Sequence, residues 1–292
     1  MSEIIQVQQA EVLSAINRSE IDAQVATAKA YPRDLATVFN KILTLATMDS
    51  DTAQECFYVL RRGGSVIEGL SVRMAEIIAN AWGNLRAGAD TISNDGKIIK
   101  ARGVCHDLET NVAVYKTVER SILDKNGRTY SADMQVVTSN AAQAIAFRNA
   151  VLAVVPKAMT KKLVQQIKQV AMGEALTLET SRQNMVLYFG KLGVSEEMLL
   201  EYLQVKKRDE IDADMVFELR GLANAIKEGT TTVQEAFVKP VEERRQAEEA
   251  RKKAEAIKAK ATQAQKKQTA KAAAPKEVVD EETGEVKTDD AD

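Results

Sequence analysis

Histidine is almost missing from this 292-residue chain, with His106 alone; cysteine occurs only at Cys56 and Cys105, and proline four times. A zinc site needs about four ligands at short spacing. Cys105 and His106 do not supply them, so no metal centre is expected. Two thiols make no disulfide framework and suit a reducing compartment. A Ser-His-Asp or Cys-His arrangement would depend on His106, and no glycine-flanked serine elbow accompanies it. No G-x-x-x-x-G-K-S/T loop is present to cradle a nucleoside triphosphate, which excludes an ATP-driven strand exchanger or helicase of that type. The carboxylates fall on acidic helical faces, whereas a two-metal nuclease wants them beside the phosphate path. The expectation is a non-enzymatic protein without a cofactor.

Long apolar runs are missing as well. No stretch approaches the ~18 residues of a membrane span. The opening residues MSEIIQVQQAEVLSAINRSE carry acidic and amide groups where a secretory signal needs a basic region and an apolar run. A cytoplasmic protein with no membrane partner is expected. Aromatics make up only 4%, but hydrophobic residues reach 45%. That is enough to bury a core and argues against wholesale disorder, with a helix-rich composition.

The pattern along the chain predicts an α+β fold. Its parts are a helical N-terminal region, an antiparallel β-meander followed by a long helix, a small C-terminal helical module and a charged tail. Helices are predicted from Ile21 to the Tyr31-Pro32 stop, from Asp34 to about Thr47, and from Asp51 to Arg62, where Gly63-Gly64 breaks the run. From Ser71 to Trp82 the apolar residues Met74, Ile77, Ile78, Ala81 and Trp82 recur at helical spacing, and Gly83 ends that helix. Period-two alternation then takes over from about Leu85 to Val137, punctuated by Asn94-Asp95-Gly96, a polar turn at Leu108–Asn111, and Asn126-Gly127. Helix resumes after an N-cap at Ser139 or Asn140, bends at Pro156 and runs to Gly173. Within the module, Gly193 fits a C-cap, Ser195 an N-cap, and Thr232 with Glu235 a capping box. The predicted divisions are 1–30, an N-terminal helical segment; 31–178, the core; 179–239, the module; and 240–292, a low-complexity arm ending in an acidic tail.

The net charge of −2 hides a strong segregation. Residues 96–162 carry eleven Lys/Arg against five Asp/Glu, and residues 244–271 carry ten against three. The tail 276–292 carries two against eight. On the strand KIIKARGVC, alternation places Lys100 and Arg102 on one face, with Ile99, Ala101 and Cys105 on the other. On NVAVYKTVER, Lys116 and Arg120 share a face with Val114 and Val118. Such cations can follow a phosphate backbone and release its counterions; they also serve as the solvated face that any meander needs. Arg148 lies in a helix that is apolar nearly all round, so it meets either an internal acid or an anionic ligand.

Several blocks resemble phage and prophage recombination proteins: YPRDL at 31–35, RRGGSVIEGLSVRMAEIIANAWGN at 61–84, NAAQAIAFRNAVLAVVPKA at 140–158, and the later LGVSEEMLLEYL and ELRGLANAIKEGTTTVQEAF. The order of parts resembles the RecT/Redβ/Erf single-strand annealing proteins. The resemblance implies ATP-independent annealing of complementary strands in phage homologous recombination, in the host-cell cytoplasm. It implies a homo-oligomeric ring or filament that binds single-stranded DNA and the nascent duplex. It also assigns DNA contacts to Arg148, to Lys157 and to Lys97, Lys100 and Arg102; Lys161 and Lys162 on the same helix as Lys157 are further candidates. Lys116 and Arg120 join them on charge alone. Tyr115, Tyr130 and Phe147 are candidates to stack on bases, with a place in the core as the plain alternative. The module at 179–239 is expected to dock a partner, such as a phage exonuclease or a host single-strand binding protein. Competing readings are a plain single-strand binder, a phage structural or scaffolding protein, and a nuclease.

Overall fold

A computed structural model describes residues 2–62, 65–124, 126–172 and 178–240, with side chains from residue 14 onward. The chain divides into two units, Met1–Val238 and Lys239–Asp292. The basic arm and acidic tail expected beyond Pro240 lie outside the described residues, as do the Gly63-Gly64 and Gly173 break points. The fold is mixed α+β, with one two-stranded and one three-stranded antiparallel sheet among the described residues. None of the helices there is long and apolar enough to cross a membrane.

The N-terminal helices are α1 (Ser2–Ala30), which stops just before Pro32, α2 (Leu35–Ala46) and α3 (Ser50–Glu55). Asp34 and Asp49 cap the latter two by accepting the N–H groups of Thr37 and Thr52. The helix predicted over Asp51–Arg62 ends early. Phe57-Tyr58-Val59-Leu60, an aromatic and β-branched run, forms strand β1 (Phe57–Arg62), paired antiparallel with β2 (Ser65–Leu70). The residues leading up to Arg62 are therefore strand and not helix. Periodicity missed this because the buried side chains of β1, Phe57, Val59 and Leu60, include an adjacent pair. After it comes α4 (Val72–Trp82), capped by Ser71 and ended by Gly83 at φ 68°.

The second sheet is the predicted meander: β3 (Leu85–Asn94), β4 (Ile98–Asp107) and β5 (Val112–Ser121), in that spatial order. Gly96 takes φ 82° in the first turn and Asn111 φ 56° in the second. The meander stops sooner than expected. Helix α5 spans Ala132–Val154, with Ser131 accepting the Met134 N–H, so it begins well before Ser139. Val136 and Val137 read as strand by propensity, yet they stand exposed on the first turns of this helix. Helix α6 (Lys157–Met172) follows Pro156.

Helix α5 lies across one face of the meander, its contacts reaching all three strands. Gly103 on β4 makes the approach possible, because a Cβ there would overlap the backbone carbonyl of Ala146. Gly103→Ala is therefore expected to destabilise by about 2–3 kcal/mol through overpacking, measured by urea unfolding. An unchanged midpoint would mean that helix and sheet are not in register as described.

Among the described residues the remaining helices are α7 (Leu178–Lys191), α8 (Glu196–Leu203) and α9 (Ala213–Lys227), with a 3-10 turn at Arg208–Glu210 and a π turn at Gln234–Val238. Thr232 and Glu235 form the capping box read from their spacing. These elements enclose their own apolar cluster around Phe189, Leu199, Leu219 and Phe237. The module does not stand off from the rest, however. Phe217 on α9 meets Phe57 edge-on at 5.4 Å, and the Asn224 amide donates to the carbonyls of Gln54 and Phe57. Arg61 on β1 holds Glu218 through two charge-assisted bonds. Helix α9 thus serves both the module and the main core.

Candidate nucleic-acid interface

Strand register divides the meander into two faces. Ile99, Ala101, Gly103, Cys105 and Asp107 of β4 point inward and are buried. Their neighbours Lys100, Arg102, Val104 and His106 form the outer face. Cross-strand pairing builds that outer face in rows: Ser93–Lys100–Glu119, Asp90–Arg102–Thr117, Gly88–Val104–Tyr115 and Arg86–His106–Ala113. Tyr115 is 61% exposed. A flat row with an aromatic at one end is thus flanked by guanidinium groups, Arg102 on one side and Arg86 on the other.

Lys100 and Arg102 do not stand alone on this face. Lys100 meets Glu119 at 2.8 Å and Arg102 meets Asp90 at 3.1 Å, all four side chains being more than two-fifths exposed. Exposed ion pairs contribute about 0–1 kcal/mol, so a phosphate can replace either carboxylate at small cost. Arg86 reaches Glu20 and Gln24 of α1. Lys97 is exposed in the β3–β4 turn, where Asp95 accepts the backbone N–H groups of Lys97 and Ile98. The Ile98 N–H first, and then the Lys97 N–H, hold the Asp95 carboxyl below its ordinary range.

The other predicted cations lie elsewhere. Pairing of Gly103 with Lys116 and of Ile99 with Arg120 puts both β5 cations on the helix-side face. Lys116 is exposed there, while Arg120 donates to the carbonyls of Gly229 and Thr230. Arg148 on α5 is only 6% exposed; it lies over the Tyr58 ring at 4.7 Å and faces Glu228 at 3.6 Å. Glu228 is the internal acid that Arg148 meets. Lys157, Lys161 and Lys162 are exposed on α6, whose buried residues Leu163, Ile167 and Ala171 pack toward α2 and α3. The nine cations therefore occupy an outer sheet face with its turn, a helix-side strand face, a buried site and a helix surface. They are not one row.

No family model, curated protein or solved structure matches the chain.

Of the three aromatics expected to stack, Tyr115 is the exposed one; Tyr130 packs on a small core with Ile99 and Ile122, and Phe147 on the main core. Sequence reasoning passed over Arg86, although its period-two spacing from Gly88 and Asp90 put it on the same face of β3. Glu228 was invisible, because nothing local in sequence links it to Arg148. Burial pushes the Cys56 thiol up to about 12 and the Cys105 thiol up to about 11, well away from a reactive thiolate at neutral pH. His106 bonds Asn111 at the sheet end. Among the described residues no group of three or more His, Cys, Asp or Glu side chains is placed to hold a metal ion.

Proposed function

We propose that the protein binds single-stranded DNA on the outer face of the β3–β5 meander and promotes annealing of complementary strands without a nucleotide cofactor. The observation that carries the reading is the row Gly88–Val104–Tyr115 between Arg86 and Arg102, with Lys100 and Lys97 continuing toward the hairpin end. An exposed aromatic supplies a stacking platform for a base, worth about 1–3 kcal/mol per base. The flanking cations neutralise phosphates, and their carboxylate partners exchange for them.

Two further features support the assignment to annealing over mere coating. The blocks that resemble phage recombination proteins include much of α5, the helix that backs this sheet, and the order of parts resembles the RecT/Redβ/Erf proteins. An outer face reached through one strand's backbone and one stacked base leaves pairing edges free for a complement. Such a protein makes and breaks no covalent bond and acts as an oligomer, in keeping with a place in phage recombination. Exposed Leu187 on α7 and Leu192 beside it give the module an apolar surface for a partner protein.

The deciding measurement mixes complementary oligonucleotides with the protein in the absence of ATP and follows duplex formation by fluorescence quenching. Acceleration well above the spontaneous rate, suppressed by added salt, is expected. Binding without acceleration would leave a protecting protein; absence of salt-sensitive binding would leave a structural one; metal-dependent cleavage would make it a nuclease.

A further inference from the structure

Two cations from separate elements end at one short turn. Arg120 of β5 donates to the carbonyl oxygens of Gly229 and Thr230, and Arg148 of α5 faces Glu228. That turn closes α9 in a Schellman arrangement: the Gly229 N–H bonds the Ile226 carbonyl, the Thr230 N–H bonds the Ala225 carbonyl, and Gly229 takes φ 70°. Its acceptors are a carboxylate and two carbonyls. A phosphodiester presents the same kind of acceptor set to a pair of guanidinium groups.

The contact is poorly satisfied. Arg148 Nη1 and Glu228 Oε2 are 3.6 Å apart, and neither makes a hydrogen bond. Thr230 Oγ1 is a third buried atom without one, so three of the four such atoms among the described residues fall at this spot. Glu228 Oε1 is used, accepting the Val72 N–H at the start of α4. Burial pushes the Glu228 carboxyl up, opposed by that N–H and by Arg148. A buried charge pair without a hydrogen bond between its partners recovers little of its desolvation cost. By contrast, the Arg61–Glu218 pair a few turns away is bidentate.

We propose that the turn Glu228–Thr230 is an internal stand-in for phosphate, holding Arg148 and Arg120 until the backbone of a single strand displaces it. The inference rests on the proposed binding of single-stranded DNA and adds a regulated second contact to it. Displacement opens the helix-side face of β5, where Lys116 is already exposed, and joins three cations from two elements. It also frees the end of α9 from the N-terminus of α4, so occupation by DNA is transmitted to the module.

The test uses the full chain, an oligothymidylate and two readouts. Glu228→Gln keeps an oxygen for the Val72 N–H and removes the competing charge, and is expected to tighten binding about tenfold, within the usual span of coupling between sites. In the unaltered protein, amide exchange at Gly229 and Thr230 should quicken when the oligonucleotide is added. If the unaltered protein binds but exchange at those amides stays the same, or the variant folds and binds no tighter, the stand-in is wrong while DNA binding stands. If neither protein binds, both readings fall. Should the variant not fold, the exchange measurement decides alone.

Discussion

Arg33→Ala is expected to cost about 3–5 kcal/mol of unfolding free energy, the usual effect of leaving one member of a buried ion pair uncompensated, here the Asp107 carboxylate. Asp107 and Arg33 have side chains only 5% and 8% exposed, joined by two bonds of 2.5 and 2.7 Å. Glu109 accepts from the Arg33 side chain and from its backbone N–H. The guanidinium lies 4.8 Å from the Trp82 ring centre, and Asp107 also accepts the N–H groups of Glu109 and Thr110. Asp107→Ala should cost less, because Glu109 still pairs with the Arg33 guanidinium. Asp90→Ala removes an exposed pair and should shift the urea midpoint little. Equal shifts from Arg33→Ala and Asp90→Ala would show that the clamp is not buried in solution.

The same clamp carries a pH signature. Burial acts to raise the Asp107 carboxyl, but the hydrogen bonds and charge of Arg33 outweigh it and leave the group below its ordinary value. A carboxyl with a depressed folded-state pKa contributes stability that is fully present above its unfolded value of about 3.9. That contribution fades as pH falls through the lower folded value. Acid unfolding of the parent should therefore be steeper below about pH 4 than that of Asp107→Asn, which has no such charge to lose.

Seen from this clamp, the YPRDL block is structural: Arg33 ties the chain after α1 to the far end of β4. Local sequence revealed the elements but not this tie, since Arg33 and Asp107 are 74 residues apart. The same division holds elsewhere. Turn chemistry at Asn94-Asp95-Gly96 and the caps at Ser195 and Thr232 were legible, because each bond they make is within a few residues. The faces of β4 were legible because period two is geometry. What alternation could not show is which face α5 would cover. Register puts Lys116 and Arg120 on the covered side and Lys100 and Arg102 on the other, so a charge count over 96–162 merged surfaces that the fold separates. Strand β1 was hidden for a related reason: its inward residues rest against α9, more than 150 positions later.

Lys100→Glu together with Arg102→Glu is expected to weaken binding of an oligothymidylate roughly 100-fold at about 0.1 M salt, taking about one decade for each cation reversed. The slope of log affinity against log salt should flatten by about 1.4, at roughly 0.7 per phosphate contact on a single strand. The fold should survive, because both side chains are more than two-fifths exposed and only their own surface pairs are lost. Reversal sets Glu beside Glu119 and Glu beside Asp90, and like charges directly opposite on a sheet repel. A charge swap separates that local effect from DNA contact. Lys100→Glu with Glu119→Lys keeps the ion pair and the charge of the face while moving the cation one strand across, a shift of about 5 Å. A backbone lying along this face should tolerate that displacement, so the swap is expected to recover most of the affinity. Unaltered affinity and slope in the double reversal would remove the outer face as the binding surface and leave the α6 lysines to be tested in its place.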